Sequence, residues 1–167
     1  MKVQISALRD DQIDALGTLA RHIWQQHYTG IISLEQIDYM LDQRYHAAAI
    51  RSQMRLPGSG WVVAQHGSQL IGFAHYCLDP DPQRLKLDKL YVHPDWQRQG
   101  VGAALLARVT TEARRQQRSV IQLRTNKRNL IALAAYRSYG FEIVAEKVTE
   151  IGGGFVMDDY VLEKTRV

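Results

Sequence analysis

The chain has 167 residues, which suits one domain built around one core. Hydrophobic residues make up 46% and charged residues 23%, ordinary values for a globular protein, and no apolar run approaches the roughly 18 residues needed to span a bilayer. Lysine and arginine outnumber acidic residues by 21 to 17, a balance that weakly favours anionic partners. The basic residues form no tail or stripe but thicken between Arg98 and Arg128. That spread, without interleaved aromatics, points to a small anion and not to nucleic acid. A single cysteine, Cys77, excludes an internal disulfide framework and fits a reducing compartment. The first residues, MKVQISALRDDQ, lack the pattern of a signal peptide, so the expected location is the cytoplasm, with no membrane partner.

Lys2 to Leu8 alternates Val3, Ile5 and Ala7 against polar neighbours, the period of a half-buried strand. Asp10 or Asp11 can cap a helix that carries Ile13, Leu16, Ala20 and Ile23 on one face and runs to His27. After a loop through Gly30, Ser33 and Gln36 form a capping box for a second helix with Leu34, Ile37 and Leu41 as its stripe. A third helix covers His46 to Arg55. Trp61 to Gln65 and Gln69 to Cys77 flank His66-Gly67-Ser68, which predicts a hairpin. Leu85 to His93 is the next strand, and its alternation changes phase near Leu90 in the manner of a β-bulge.

A loop and helix follow. Gln97-Arg98-Gln99-Gly100-Val101-Gly102 places two glycines at a strand-to-helix turn, where a backbone without Cβ atoms can approach a ligand closely. The first N–H groups of the helix have no intrahelical partner and sit at the positive end of its dipole, so the turn is an anion site suited to phosphate. The helix sets Val101, Leu105, Leu106 and Val109 on one side and Arg108, Thr111 and Arg115 on the other. Ser119 to Thr125 is a strand, Asn129 to Tyr139 a short helix, and Phe141 to Val148 and Phe155 to Glu163 are two closing strands joined across Gly152-Gly153-Gly154. The simplest assembly is one α+β domain over residues 1–167, with a central mixed sheet.

Leu90-Tyr91-Val92-His93-Pro94 with Gln97-x-x-Gly100-x-Gly102 resembles the acetyl-CoA signature of the GNAT superfamily of N-acetyltransferases. Asn129-x-x-Ala132-x-x-x-Tyr136-x-x-x-Gly140-Phe141 resembles the second half of that signature. The resemblance implies a three-layer fold whose central, mostly antiparallel twisted sheet of about seven strands is flanked by helices. It also implies acetyl-CoA as co-substrate. The main chain of Leu90, Tyr91 and Val92 would then hold the pantetheine arm, the loop residues Gln97, Arg98, Gln99, Gly100, Val101, Gly102 and Ala103 the diphosphate, and Asn129, Ala132 and Tyr136 the helix face that meets the cofactor. Leu130 and Leu133 would turn to the core.

Acetyl transfer needs a polarised thioester, a neutral amine and a proton for the departing thiolate. Tyr136, a neutral donor at pH 7, suits the last role, with packing beside Phe141 as its purely structural alternative. For the base, Asp88 is the candidate, beside His75 and His27; a solvated strand residue is the plainer reading of Asp88. Trp24, His27 and Tyr28, with Tyr76 placed to face them, either line an acceptor pocket or belong to the core. Asp158 and Asp159 point to opposite faces of the last strand; one could attract an amine cation, and a solvated strand end is the alternative. No His, Cys and acidic cluster has metal-ligand spacing. The expected reaction is direct transfer to a small-molecule amine in a ternary complex. Competing readings are a protein N-terminal or lysine acetyltransferase and a non-catalytic acyl-CoA sensor; a homodimer is consistent with either.

Overall fold

One strand explains the layering. In the run Trp61-Val62-Val63-Ala64, successive side chains enter opposite cores: Trp61 and Val63 join one apolar cluster, Val62 and Ala64 the other. A strand apolar on both sides is one covered on both faces. The computed structural model describes residues 2–167 and shows this arrangement. Strands β1 (Gln4–Ala7), β2 (Gly60–His66), β3 (Gln69–Leu78), β4 (Arg84–Val92), β5 (Val120–Asn126), β6 (Glu142–Gly152) and β7 (Phe155–Thr165) form one sheet in the order β1-β2-β3-β4-β5-β7-β6. All neighbours are antiparallel except β4 and β5. Helices α1 (Ile13–His27), α2 (Leu34–Arg44) and α3 (Ala47–Arg55) cover one face; α4 (Val101–Arg115) and α5 (Leu130–Ser138) cover the other. The sheet of seven strands between two helical layers is the fold expected from the sequence.

The helix signals resolve in detail. Ser33 caps α2 by accepting the Gln36 N–H at 3.1 Å, but the Gln36 side chain does not complete the box. It reaches across to donate to the Val156 carbonyl at 3.0 Å, and Tyr39 donates to the Ile151 carbonyl at 3.2 Å. These bonds fasten α2 to the β6–β7 hairpin. Arg128, just before α5, donates to the carbonyls of Gly30 and Ile31, each at 2.8 Å, and so ties the α1–α2 loop to the far side of the sheet.

Strand β4 carries the irregularity that matters. His75 pairs with Lys89 and Tyr76 with Leu87, so Asp88 is the extra residue of a bulge. The phase change read near Leu90 originates two residues earlier. On the other side, β4 pairs with β5 only at Arg84, Leu85 and Lys86. Beyond Lys86 the two strands part, and the main-chain groups of Leu87 to Val92 on that edge have no strand partner among the described residues. Gly72 lies opposite Val92, and a Cβ there would sit 3.0 Å from the Tyr91 carbonyl oxygen and 3.2 Å from Leu105. Gly72→Ala is expected to push the Tyr91–Val92 edge aside, costing about 1–3 kcal/mol in thermal or denaturant unfolding.

Candidate active site

The gap between β4 and β5 opens into a cavity of about 620 Å³. One wall is the free edge Leu87 to Val92, the other is α5 with Asn129, Ala132 and Tyr136, and the end is formed by Gln97, Arg98, Gly100 and Gly102. Gly100 caps α4 with φ at +83°, a left-handed conformation that glycine adopts without penalty. Arg98 is also left-handed, at φ +59°. The first bond inside α4 runs from the Ala104 N–H to the Gly100 carbonyl, so the N–H groups of Val101, Gly102 and Ala103 precede it and face the turn. Val101 turns its side chain into the core, and Gln99 and Ala103 turn theirs outward; these three offer the site only their main chain.

Asn129 accepts the Ala132 N–H at 3.3 Å and thereby caps α5. This bond fixes the helix that presents Tyr136. Tyr136 stacks edge-on to Phe141 at 5.6 Å, the packing contact read from the sequence, and it also borders the cavity. Burial, then the neighbouring Tyr28 and Tyr139, raise its pKa, which keeps it a protonated donor. Leu133 faces the core as expected, but Leu130 does not: it is 72% exposed at the cavity mouth. Leu130 is the first residue of α5, at the helix end that opens on the cavity.

A second cavity, of about 410 Å³, adjoins the first. The two share Tyr28, Leu87, Asp88, Tyr91, Arg124 and Thr125. Gln43 and Arg44 of α2, Thr149 and Ile151 of β6, and Met157 and Asp159 of β7 complete its walls. Tyr28 and Tyr91 stand at the junction with hydroxyls 2.9 Å apart. Trp24 borders this cavity but is a core residue, 1% exposed, donating its indole N–H to the Tyr45 hydroxyl at 3.1 Å. His27 belongs to the first cavity instead, where the Gln97 side-chain amide donates to its Nε2 at 2.7 Å; burial lowers its pKa. Tyr76 borders neither cavity. Ala74 and Tyr76 face α4 while Phe73 and His75 face α1 to α3, because the bulge lies in β4 and leaves the alternation of β3 intact. Its expected place in the acceptor pocket is therefore corrected.

Asp88 is neither a solvated strand residue nor a free carboxylate. His75 Nδ1 donates to its Oδ2 at 2.9 Å, Lys89 Nζ pairs with the same oxygen, and Arg44 approaches Oδ1 at 3.4 Å. Burial opposes its charge, but the His75 hydrogen bond and the charges of Lys89 and Arg44 hold the Asp88 carboxyl well below the usual range. A carboxylate so stabilised is a poor proton acceptor at neutral pH. Its base role gives way to a structural one. Lys89 itself is 3% exposed and lies over the rings of Trp61 and Tyr45 at 5.1 and 5.5 Å. Burial, with Arg44 adding to it, brings its pKa down to about 8 despite Asp88.

The chain matches the family model described as acetyltransferase (GNAT) family over residues 18–141. It belongs to the GNAT acetyltransferase family. Acetyl-CoA is accordingly its acyl donor, and the first cavity suits that molecule: a free strand edge for an amide-rich arm, then a left-handed turn and helix start for a diphosphate. A spermidine N(1)-acetyltransferase from Thermoplasma acidophilum is 24% identical, covering 98% of both chains. Among solved structures, a PaiA N-acetyltransferase from the same organism, crystallised with coenzyme A, superposes with a TM-score of 0.83 at 24% identity over 99% of both chains. A ribosomal-protein-S18-alanine N-acetyltransferase from Escherichia coli gives 0.72 at 17% identity, covering 99% of this chain and 94% of its own.

The Asp88 cluster makes a stability prediction. Its depressed pKa stabilises the fold above the unfolded carboxyl pKa, and this contribution is lost as pH falls below about 4. Asp88→Asn strands Lys89 and Arg44 and is expected to cost about 3–5 kcal/mol at neutral pH, while flattening the acid limb of a stability–pH curve measured by denaturant unfolding. Unchanged stability with a lost acid limb in turnover would return Asp88 to the role of base.

Proposed function

We propose that this acetyltransferase acetylates a primary amine of a small molecule, polyamine or amino-acid-like, by direct attack while acetyl-CoA and acceptor are bound together. The observation that carries this reading is the meeting of two cavities at the β4–β5 gap, with Tyr136 bordering the one and Tyr28 and Tyr91 at their junction. In such a site the acceptor approaches from one side and the thioester from the other, and no enzyme nucleophile is needed. The Cys77 thiol, its pKa raised by burial, borders neither cavity and supports this choice. A lone cysteine also favours a reducing, cytoplasmic setting.

The chain's own residues divide the work. The main chain of Leu90, Tyr91 and Val92 holds the pantetheine arm and offers an N–H to the thioester carbonyl. The turn from Gln97 to Ala103 neutralises the diphosphate, with Arg98 beside it. Asn129 and Ala132 orient α5 against the donor, and Tyr136 gives its proton to the leaving sulfur. A walled acceptor cavity, closed by the bonds of Gln36 and Tyr39 to the β6–β7 hairpin, favours a small acceptor over an extended peptide.

Thiol release from acetyl-CoA across a panel of amines tests the reading; coenzyme binding without turnover on any amine would replace it with a sensor. Tyr136→Phe is expected to lower kcat about a hundredfold or more with little change in acetyl-CoA affinity, measured by steady-state kinetics and calorimetry. Full turnover in that variant would remove Tyr136 from proton transfer.

A further inference from the structure

The second cavity contains a charge that the fold does not explain. Asp158 and Asp159 are neighbours on β7 with opposite fates. Asp158 points outward and pairs with Lys127 at 3.0 Å. Asp159 points inward, is 6% exposed, and its Oδ1 is buried without a hydrogen-bond partner among the described residues. Buried carboxylate oxygens are normally satisfied by donors. The remaining charged groups of the cavity are accounted for differently. Arg44 and Lys86 converge on Asp88, as does Lys89 behind the cavity wall. Arg124, exposed on β5 two residues from the position that pairs with Asp159, has no carboxylate within ion-pair distance among the described residues, yet borders both cavities. Once the Asp88 cluster is set aside, one buried carboxylate and one free guanidinium remain in the same small space.

We propose that Asp159 receives the ammonium group of the acceptor and takes its first proton, and that Arg124 selects acceptors whose amine is accompanied by an anionic group. This rests on the acetyl-transfer reading above. A primary ammonium brings three donors, one of which satisfies Asp159 Oδ1. A polyamine would set a second ammonium against Arg124, a like-charge contact; a carboxylate there forms a paired fork instead. The protons balance. The ammonium loses one to Asp159, which passes it to solvent. The neutral nitrogen attacks the thioester carbonyl, the new C–N bond replaces the C–S bond, and the sulfur leaves with the Tyr136 proton. The second nitrogen proton restores Tyr136.

The surroundings of Asp159 suit a base. Burial raises its pKa, opposed by Arg124 of β5 and Arg44 of α2, aided by Asp158, and opposed weakly by Lys127. Lys147 is its register partner on β6 and Asn126 on β5, and Tyr28 approaches from the end of α1. A protonated Asp159 cannot accept a proton, so kcat/KM should fall as pH drops through its pKa.

The test uses the full chain with α-amino acids, ω-amino acids and length-matched diamines including spermidine, reading thiol release against pH. Zwitterionic amines are expected to exceed diamines at least about tenfold in kcat/KM, one well-made contact's worth. Asp159→Asn should lower kcat/KM about a hundredfold, remove its acid limb, leave the KM for acetyl-CoA unchanged and raise the thermal midpoint, since it deletes an unpaired buried charge. A merely structural Asp159 would lower that midpoint and keep the pH profile. Arg124→Gln should raise the acceptor KM and bring the zwitterion-to-diamine ratio towards one. Wild-type rates and pH dependence in Asp159→Asn overturn the base. A diamine preference unchanged by Arg124→Gln overturns the selection. Thiol release by the wild type with some amine keeps the parent reading alive in both cases, whereas its absence with every amine brings down both.

Discussion

The separation of β4 from β5 after Lys86 is the constraint on which the rest depends. A parallel pair that stayed zipped would leave no free amides along Leu87 to Val92, no room for α5 to face them and no junction between the cavities. The bulge at Asp88 lies two residues beyond Lys86, the last residue paired with β5, and an added residue bends a strand and increases its twist. Holding a carboxylate at that point takes three cationic or donor side chains, Arg44, His75 and Lys89, drawn from three elements. The aromatic wall of Trp24, Tyr45, Trp61 and Phe73 backs the cluster on its inner side, with Lys89 over the rings of Tyr45 and Trp61. Polar and apolar parts of this face are therefore one device.

Much of the fold was legible because its signals are periodic. The hairpin of Trp61 to Gln65 with Gln69 to Cys77, the stripe of α1 and the glycine turn before α4 each follow from spacing and backbone chemistry. Strand and helix boundaries fell within a few residues of those expected, except that β6 extends to Gly152. Where prediction failed, it failed on side chains whose surroundings come from distant sequence. Asp88 reads as a surface carboxylate until Arg44, 44 residues away, and His75, 13 away, are folded onto it. Asp159 reads as a strand end until α2 covers it. Tyr76 looks available to the acceptor until the folded β3 turns it, with Ala74, towards α4.

The candidate site shows the same division. The first cavity is walled by main-chain groups and helix ends, whose properties are local, so the two halves of the motif meet along its walls. The second cavity draws side chains from α1, α2, β5, β6 and β7, and no short motif records that convergence. A hint lay in the doublet Asp158-Asp159, since strand geometry requires one of the two to turn inward.

The position of Lys89 has a further consequence. A primary amine with a pKa near 8 is, chemically, a good substrate for the acyl donor that this family carries, and Lys89 stands next to the strand edge that faces that donor. Its nitrogen is directed the other way, wedged between two ring faces and clamped to Asp88, with a side chain only 1% exposed. Burial, the ring contacts and the Asp88 clamp together withdraw this amine from acylation.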